Sequence, residues 1–185
     1  MPGAEPFSAA GGPHGALVVH GFSGTPQAMR GLAEAFAAAG FAVELPRLPG
    51  HGTTVDDLET TKFADWSAAV ASAYDELASR CDRVVVAGLS MGATLATWLA
   101  VQRPDVAGLI VINGAFAPPE PNVLDAIRQM KAQGTARIPG PGNDVADPVE
   151  RIRLDRSFHV TTLDYERAEV EAASVEFARR VTNHR

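Results

Sequence analysis

A β-branched apolar run, Val84 to Gly88, gives way after only Leu89 and Ser90 to an Ala- and Leu-rich stretch, Met91 to Gln102. A strand that becomes a helix over so few residues must turn very tightly, and glycines at 88 and 92 clear the space for that turn. The same order recurs around it. Gly15 to His20 reads as a short buried strand entering a glycine-rich turn, Gly21 to Gly24. Thr25-Pro26 then supplies an N-cap with proline at the first helical position. Met29, Leu32 and Phe36 follow at helical spacing, and Gly40 stands where a helix C-cap belongs. Phe41 to Leu45 reads as the next strand, closed by the punctuated loop Pro46 to Gly52.

Trp66, Ala69, Val70, Ala73 and Leu77 share one face of a further helix, with Thr61 placed to cap it. Ala107 to Ile112 is apolar throughout, the signature of a central parallel strand covered on both faces. Pro118, Pro119 and Pro121 open a segment with one helix, Val123 to Gln133, and a Pro/Gly-rich loop, Ile138 to Pro148. Val149 to Leu154 alternates like a strand, and Tyr165 to Val181 reads as a terminal helix with Val170, Ala173, Phe177 and Val181 inward. Strands alternating with helices predict an α/β fold: a three-layer α/β/α sandwich around a doubly wound, mostly parallel sheet.

At 185 residues the length fits one domain, taken as residues 1–185. A net charge of −6 argues against nucleic acid as a partner. No apolar run approaches the ~20 residues of a membrane span, and no secretory leader is legible at the N-terminus. Cys81 is the single cysteine, which excludes an internal disulfide and suits a reducing cytoplasm. Its side chain is read as a small buried apolar group.

Gly88-Leu89-Ser90-Met91-Gly92 is a G-x-S-x-G pentapeptide in the strand–turn–helix setting that a nucleophile elbow requires. Such a turn strains Ser90 and exposes its hydroxyl, while the following helix aims its positive end at developing negative charge. An activated serine needs two N–H donors for the oxyanion. One is the backbone N–H of Met91, directly after Ser90. The other falls on His20-Gly21-Phe22-Ser23-Gly24, one strand–helix–strand unit upstream, where the Phe22 N–H is the natural donor. A base belongs on a loop at the C-terminal edge of the sheet, after the last strand. His159 follows Val149 to Leu154 and meets this condition. His14 precedes the first strand and His184 sits in the tail. His20 is read as a buttress of the oxyanion loop, and His51 as shaping the Pro-Gly-His-Gly loop.

His20-Gly21-Phe22-Ser23-Gly24-Thr25, Leu48-Pro49-Gly50-His51-Gly52, the serine pentapeptide and Ser157-Phe158-His159-Val160 together resemble the bacterial carboxylesterase and monoacylglycerol-lipase branch of the α/β hydrolases. The resemblance implies Ser90 as nucleophile, His159 as base, and Phe22 and Met91 as oxyanion donors. It implies simple carboxylic esters or medium-chain monoacylglycerols as substrates, and no cofactor or metal.

One unit of that family is missing. The resemblance calls for a strand, turn and helix bearing the catalytic acid before the final strand, and Ile112 to His159 contains no such unit, so the fold is shortened. The cap-like segment, about 115–148, is reduced as well. Asp155 closes the last strand four residues before His159 and ranks first as the acid, ahead of Asp144 and Asp147. Asp105 enters a strand and lies at the wrong edge, while Asp125 on the helix and Glu120 just before it are read as solvated. A lost strand leaves sheet edges unpaired, which a homodimer would cover. Two readings stay open: an ester-cleaving enzyme, or a catalytically impaired, hydrolase-shaped binding module.

Overall fold

The computed structural model describes residues 1–116 and 166–183. Among the described residues five strands form one sheet in the order β1-β3-β2-β4-β5. They are β1 (Phe7–Ala9), β2 (His14–Val19), β3 (Ala42–Leu45), β4 (Arg83–Leu89) and β5 (Gly108–Ile112). β3, β2, β4 and β5 run parallel, and β1 pairs antiparallel with β3. The described α-helices are α1 (Arg30–Ala38), α2 (Val55–Glu59), α3 (Phe63–Ala78), α4 (Met91–Gln102) and α5 (Arg167–Asn183).

Side-chain alternation splits the core into two layers. Ala16 and Val18 of β2, with Val85, Ala87 and Leu89 of β4, face α1 and α5. Leu17 and Val19, with Val84 and Val86, face α3 and α4. This is the three-layer α/β/α arrangement that the strand–helix alternation predicts. From β2 the chain crosses to β3 on one side and then to β4 on the other, so the winding reverses between β2 and β4. Open α/β sheets bind their ligands at the carboxyl ends of the strands flanking such a reversal.

Several boundaries depart from the sequence reading. Thr25 has extended backbone but its side chain caps nothing. The chain first makes a 3-10 turn, Pro26–Met29, and only then enters α1. Gly40 does close the helix, at φ +94. The Gly40 N–H donates to Ala37 O and the Phe41 N–H to Phe36 O, while the rings of Phe36 and Phe41 meet edge-on at 5.7 Å. Crossed bonds of this kind with an apolar contact across them make a Schellman motif. Thr61 does not cap α3, whose N-terminus is met instead by the Asp65 carboxylate accepting the Lys62 N–H at 2.8 Å. The buried face of α3 carries Ser67, Val70, Tyr74 and Leu77, so Tyr74 was missing from the predicted stripe.

On α5 the buried line is Val170, Ser174, Ala178 and Thr182 rather than 170, 173, 177 and 181. Phe177 and Val181 flank that line and lie over Gly108, where even a methyl group would come within 2.9 Å of both. β5 pairs with β4 on one side, and the strand expected at Val149 to Leu154, which bears on the central position predicted for Ala107 to Ile112, lies outside the described residues. Val111 is 44% exposed. Cys81 is half-buried beside the α3–α4 layer, and burial raises its thiol pKa.

Candidate active site

Ser90 stands between β4 and α4 with φ 54° and ψ −117°. A residue with a Cβ pays about 1–3 kcal/mol for such a backbone state, so its surroundings must impose it. The Ser90 N–H donates to Ile112 O at 2.9 Å, and the Ser90 carbonyl accepts from the Ala93 and Thr94 N–H groups. The flanking glycines are demanded by contact rather than by conformation. A Cβ on Gly88 would lie 2.2 Å from Gly92 O, and one on Gly92 would lie 2.3 Å from Val19 O. The backbones of strand β4, helix α4 and strand β2 therefore touch around Ser90. The first N–H groups of α4 have no acceptor within the helix, and the Met91 N–H is the foremost of them.

Register carries the second predicted donor to the same place. Val19 pairs with Gly88, so the chain leaving β2 emerges beside Ser90. A Cβ on Gly21 would lie 3.3 Å from Ser90 Cβ and 3.1 Å from Leu89 O. The Gly24 N–H donates to Gly21 O at 3.2 Å, closing a turn in which Ser23 takes φ +55. Phe22 projects from that turn with 56% of its surface exposed. Its ring meets His51 edge-on at 5.9 Å and Trp66 at 6.0 Å.

Two buried histidines lie under this loop, their rings 5.1 Å apart. His20 Nε2 accepts the Leu48 N–H at 3.1 Å, and its Nδ1–H donates to Gly21 O at 3.0 Å. Burial, reinforced by neighbouring His51 and opposed by the Gly21 bond, lowers the His20 pKa to about 4. Near neutral pH the ring is therefore uncharged, in the tautomer that both bonds require. The His51 Nδ1–H donates to Pro49 O at 3.0 Å, and its Nε2 has no partner among the described residues. Trp66, read from sequence as helix core, belongs to this cluster. Its indole N–H donates to Pro49 O and to Thr61 Oγ1, both at 3.1 Å. The need of a part-buried indole for an acceptor was the signal that could have placed it there.

Thus Ser90, Met91 and the Phe22 loop are brought together at the carboxyl edge of the sheet. His159 and the three acid candidates Asp155, Asp144 and Asp147 lie outside the described residues. Asp105 is at the amino edge, as its place ahead of a strand implies, and accepts the Tyr74 hydroxyl proton at 3.0 Å. Burial first, and then Asp105, raise the Tyr74 pKa. A cleft lined by Pro13, His14, Phe41 and Arg179 also opens at that amino edge, away from Ser90. The loops leaving β2, β3 and β4 hold no Asp or Glu before the next helical element, and neither does the stretch from β5 to Phe116. Among the described residues no group of His, Cys, Asp and Glu is placed to hold a metal ion, and no helix is long and apolar enough to cross a membrane.

Comparison with known proteins gives a consistent answer. The profile of the Alpha/beta hydrolase family matches residues 16–183. The chain is 36% identical over 237 positions to a thermostable monoacylglycerol lipase of Bacillus sp. (strain H-257), covering 96% of this chain and 95% of that protein. An alignment of 237 positions exceeds the 185 residues present here, so at least 52 positions of the comparison face no residue of this chain. A carboxylesterase of Bacillus subtilis (strain 168) is 30% identical over 101 residues, 54% of this chain and 41% of that one. A solved structure from work on the metagenome-derived lipolytic enzymes LipS and LipT superposes with a TM-score of 0.79 at 30% identity, covering 97% of this chain and 99% of its own.

Proposed function

The chain belongs to the alpha/beta hydrolase family, and on that premise we propose that it is a serine hydrolase cleaving carboxylic esters, either short- to medium-chain esters or monoacylglycerols. Ser90 Oγ attacks the ester carbonyl carbon, and its proton passes to the imidazole of His159. The oxyanion that forms is received by the N–H groups of Phe22 and Met91. Collapse of the tetrahedral species breaks the bond to the alcohol, which leaves with the proton from His159, and Ser90 keeps the acyl group. Water, deprotonated by His159, then attacks the acyl-enzyme, releasing the carboxylic acid and restoring the serine. No step calls on a cofactor.

The observation that carries this reading is the backbone state of Ser90, held at φ 54° between two glycines whose places admit no Cβ. Nothing in a plain strand–helix connection requires that strain, whereas an exposed nucleophile does. The likeness to a monoacylglycerol lipase supports the substrate class. Asp155 is the first choice to orient His159, with Asp144 and Asp147 behind it. The shortage of an acid has a size, since replacing a triad acid by its amide costs about 10⁴ in kcat. Turnover is therefore expected to be slow.

Labelling with a fluorophosphonate probe tests the proposal. One equivalent should attach at Ser90, and Ser90→Ala should abolish both the label and hydrolysis of p-nitrophenyl butyrate. Folded protein that takes no label would falsify it. The 52 or more unmatched positions favour a second reading, a hydrolase-shaped protein that binds without turning over. Ser90-dependent turnover rejects that alternative.

A further inference from the structure

The carbonyl of Gly21 and the N–H of Phe22 belong to one peptide unit. Peptide units are planar and trans, so whatever fixes the direction of the carbonyl also fixes the opposite direction of the N–H. Gly21 O accepts two donors, the His20 Nδ1–H at 3.0 Å and the Gly24 N–H at 3.2 Å. A carbonyl oxygen has two lone pairs, and both are taken. The His20 ring cannot swivel to release this bond, because its Nε2 is held by the Leu48 N–H at 3.1 Å and the ring is wholly buried. On the far side of the peptide the Phe22 ring is braced by His51 and Trp66.

We propose that His20 is a positioning residue for ester hydrolysis: its Nδ1–H pins the Gly21 carbonyl and so aims the Phe22 N–H at the oxyanion. It makes no contact with substrate and transfers no proton. Its hydrogen bond also polarises the peptide, which strengthens the N–H on the other side by about 10–30%. Only the neutral Nδ1–H tautomer does this while accepting from Leu48. The inference rests on the reading of Ser90 and Phe22 given above, and adds to it a residue two positions before the donor.

Asparagine and glutamine separate the two ends of the imidazole. In His20→Asn the amide NH₂ stands near the place of Nδ1 and restores the bond to Gly21. In His20→Gln the amide reaches the place of Nε2, keeping the clip to Leu48 and losing the pin. Steady-state kinetics with p-nitrophenyl butyrate should show kcat falling about 10- to 100-fold in the glutamine variant, with KM within about two-fold, since losing an oxyanion donor outright costs 10²–10³. The asparagine variant should keep kcat within about three-fold. A histidine that served only to hold the fold would give the opposite ranking, or equal losses tracking the melting temperature, and either result overturns the proposal.

Nitrogen NMR supplies a readout that needs no turnover. In the wild type His20 should show Nδ1 protonated and Nε2 bare, and the Phe22 amide nitrogen should shift in the glutamine variant but not in the asparagine one. An Nε2-protonated ring, or a Phe22 signal indifferent to both substitutions, sinks the inference. If the wild type proves inactive, the ester-hydrolase reading falls and the NMR result decides the geometry alone. Should the glutamine variant fail to fold, the wild-type tautomer and the asparagine variant's kcat decide between them.

Discussion

The two edges of the sheet are built by opposite rules. At the carboxyl edge stand all three described non-glycine residues with positive φ: Ser23 after β2, Ser90 after β4 and Asn113 after β5. At the amino edge the left-handed position among the described residues is Gly40, where the conformation costs little and a Schellman motif satisfies the free carbonyls. That edge is tied by ordinary means, with Asp82 N–H donating to Pro13 O at 2.7 Å and Tyr74 to Asp105 at 3.0 Å. The amino edge holds no left-handed non-glycine residue among those described, although it too has a close backbone approach, with a Cβ on Gly11 lying 2.2 Å from Ala42 N. The other stores strain and is held in place by contacts that tolerate no extra atom, which is what a preorganised site requires of its scaffold.

Adding one methyl group at each edge is the harshest test of this contrast. Gly92→Ala drives a Cβ to 2.3 Å from Val19 O, so urea denaturation should show a loss of about 3 kcal/mol or more, or no folded protein. Gly40→Ala meets nothing within 4 Å and should lose only about 1 kcal/mol, the cost of a left-handed alanine. Equal losses would break the comparison.

Next in size is a pH effect located at the carboxyl edge. The unfolded chain protonates His20 near 6.5, while the folded chain holds out to about 4. Between those values the unfolded state binds the extra proton, so stability falls as pH drops from about 6.5 through 4 and levels off below. The His20 share is on the order of 3 kcal/mol. His20→Asn should flatten that slope in thermal melts taken across pH 4 to 7. An unchanged slope would move the sensitivity elsewhere.

Relieving the strain at Ser90 gives a smaller effect of opposite sign. Ser90→Gly should end catalysis yet raise stability by about 1–2 kcal/mol, because glycine accepts φ 54° without penalty. A destabilised variant would show that the serine is not strained. Smallest of all is Tyr74→Phe at the amino edge. Losing its bond to Asp105 should cost about 1 kcal/mol by denaturation and leave kcat untouched.

How far these features could be read from sequence differs in the same way. The tight turn around Ser90 was legible because crowding there leaves no room for a Cβ at 88 or 92, and a constraint that strict leaves a mark in residue identity. The layering was legible because strands β2 and β4 are apolar on both faces. β1 was not, since Phe7-Ser8-Ala9 is too short to show a period, and its place is fixed by antiparallel pairing with β3. On α5 the large residues Phe177 and Val181 drew the predicted stripe toward themselves. The glycine at 108 accepts them as flanking groups and lets smaller Ser174 and Ala178 take the centre. Trp66 packs against the core layer as its helical spacing implies, but spacing could not show that its ring also meets Phe22 and His51.

Helix α5 lies against α1, β4 and β5, all of which precede residue 117. Its seat is thus defined by parts of the chain that come long before it, whatever number of residues separates them. Joining two anchored points costs free energy only as the logarithm of the span, about 0.6 kcal/mol for each doubling. The seat of the final helix is therefore set by its contacts with α1, β4 and β5, and depends only weakly on how many residues lie in between.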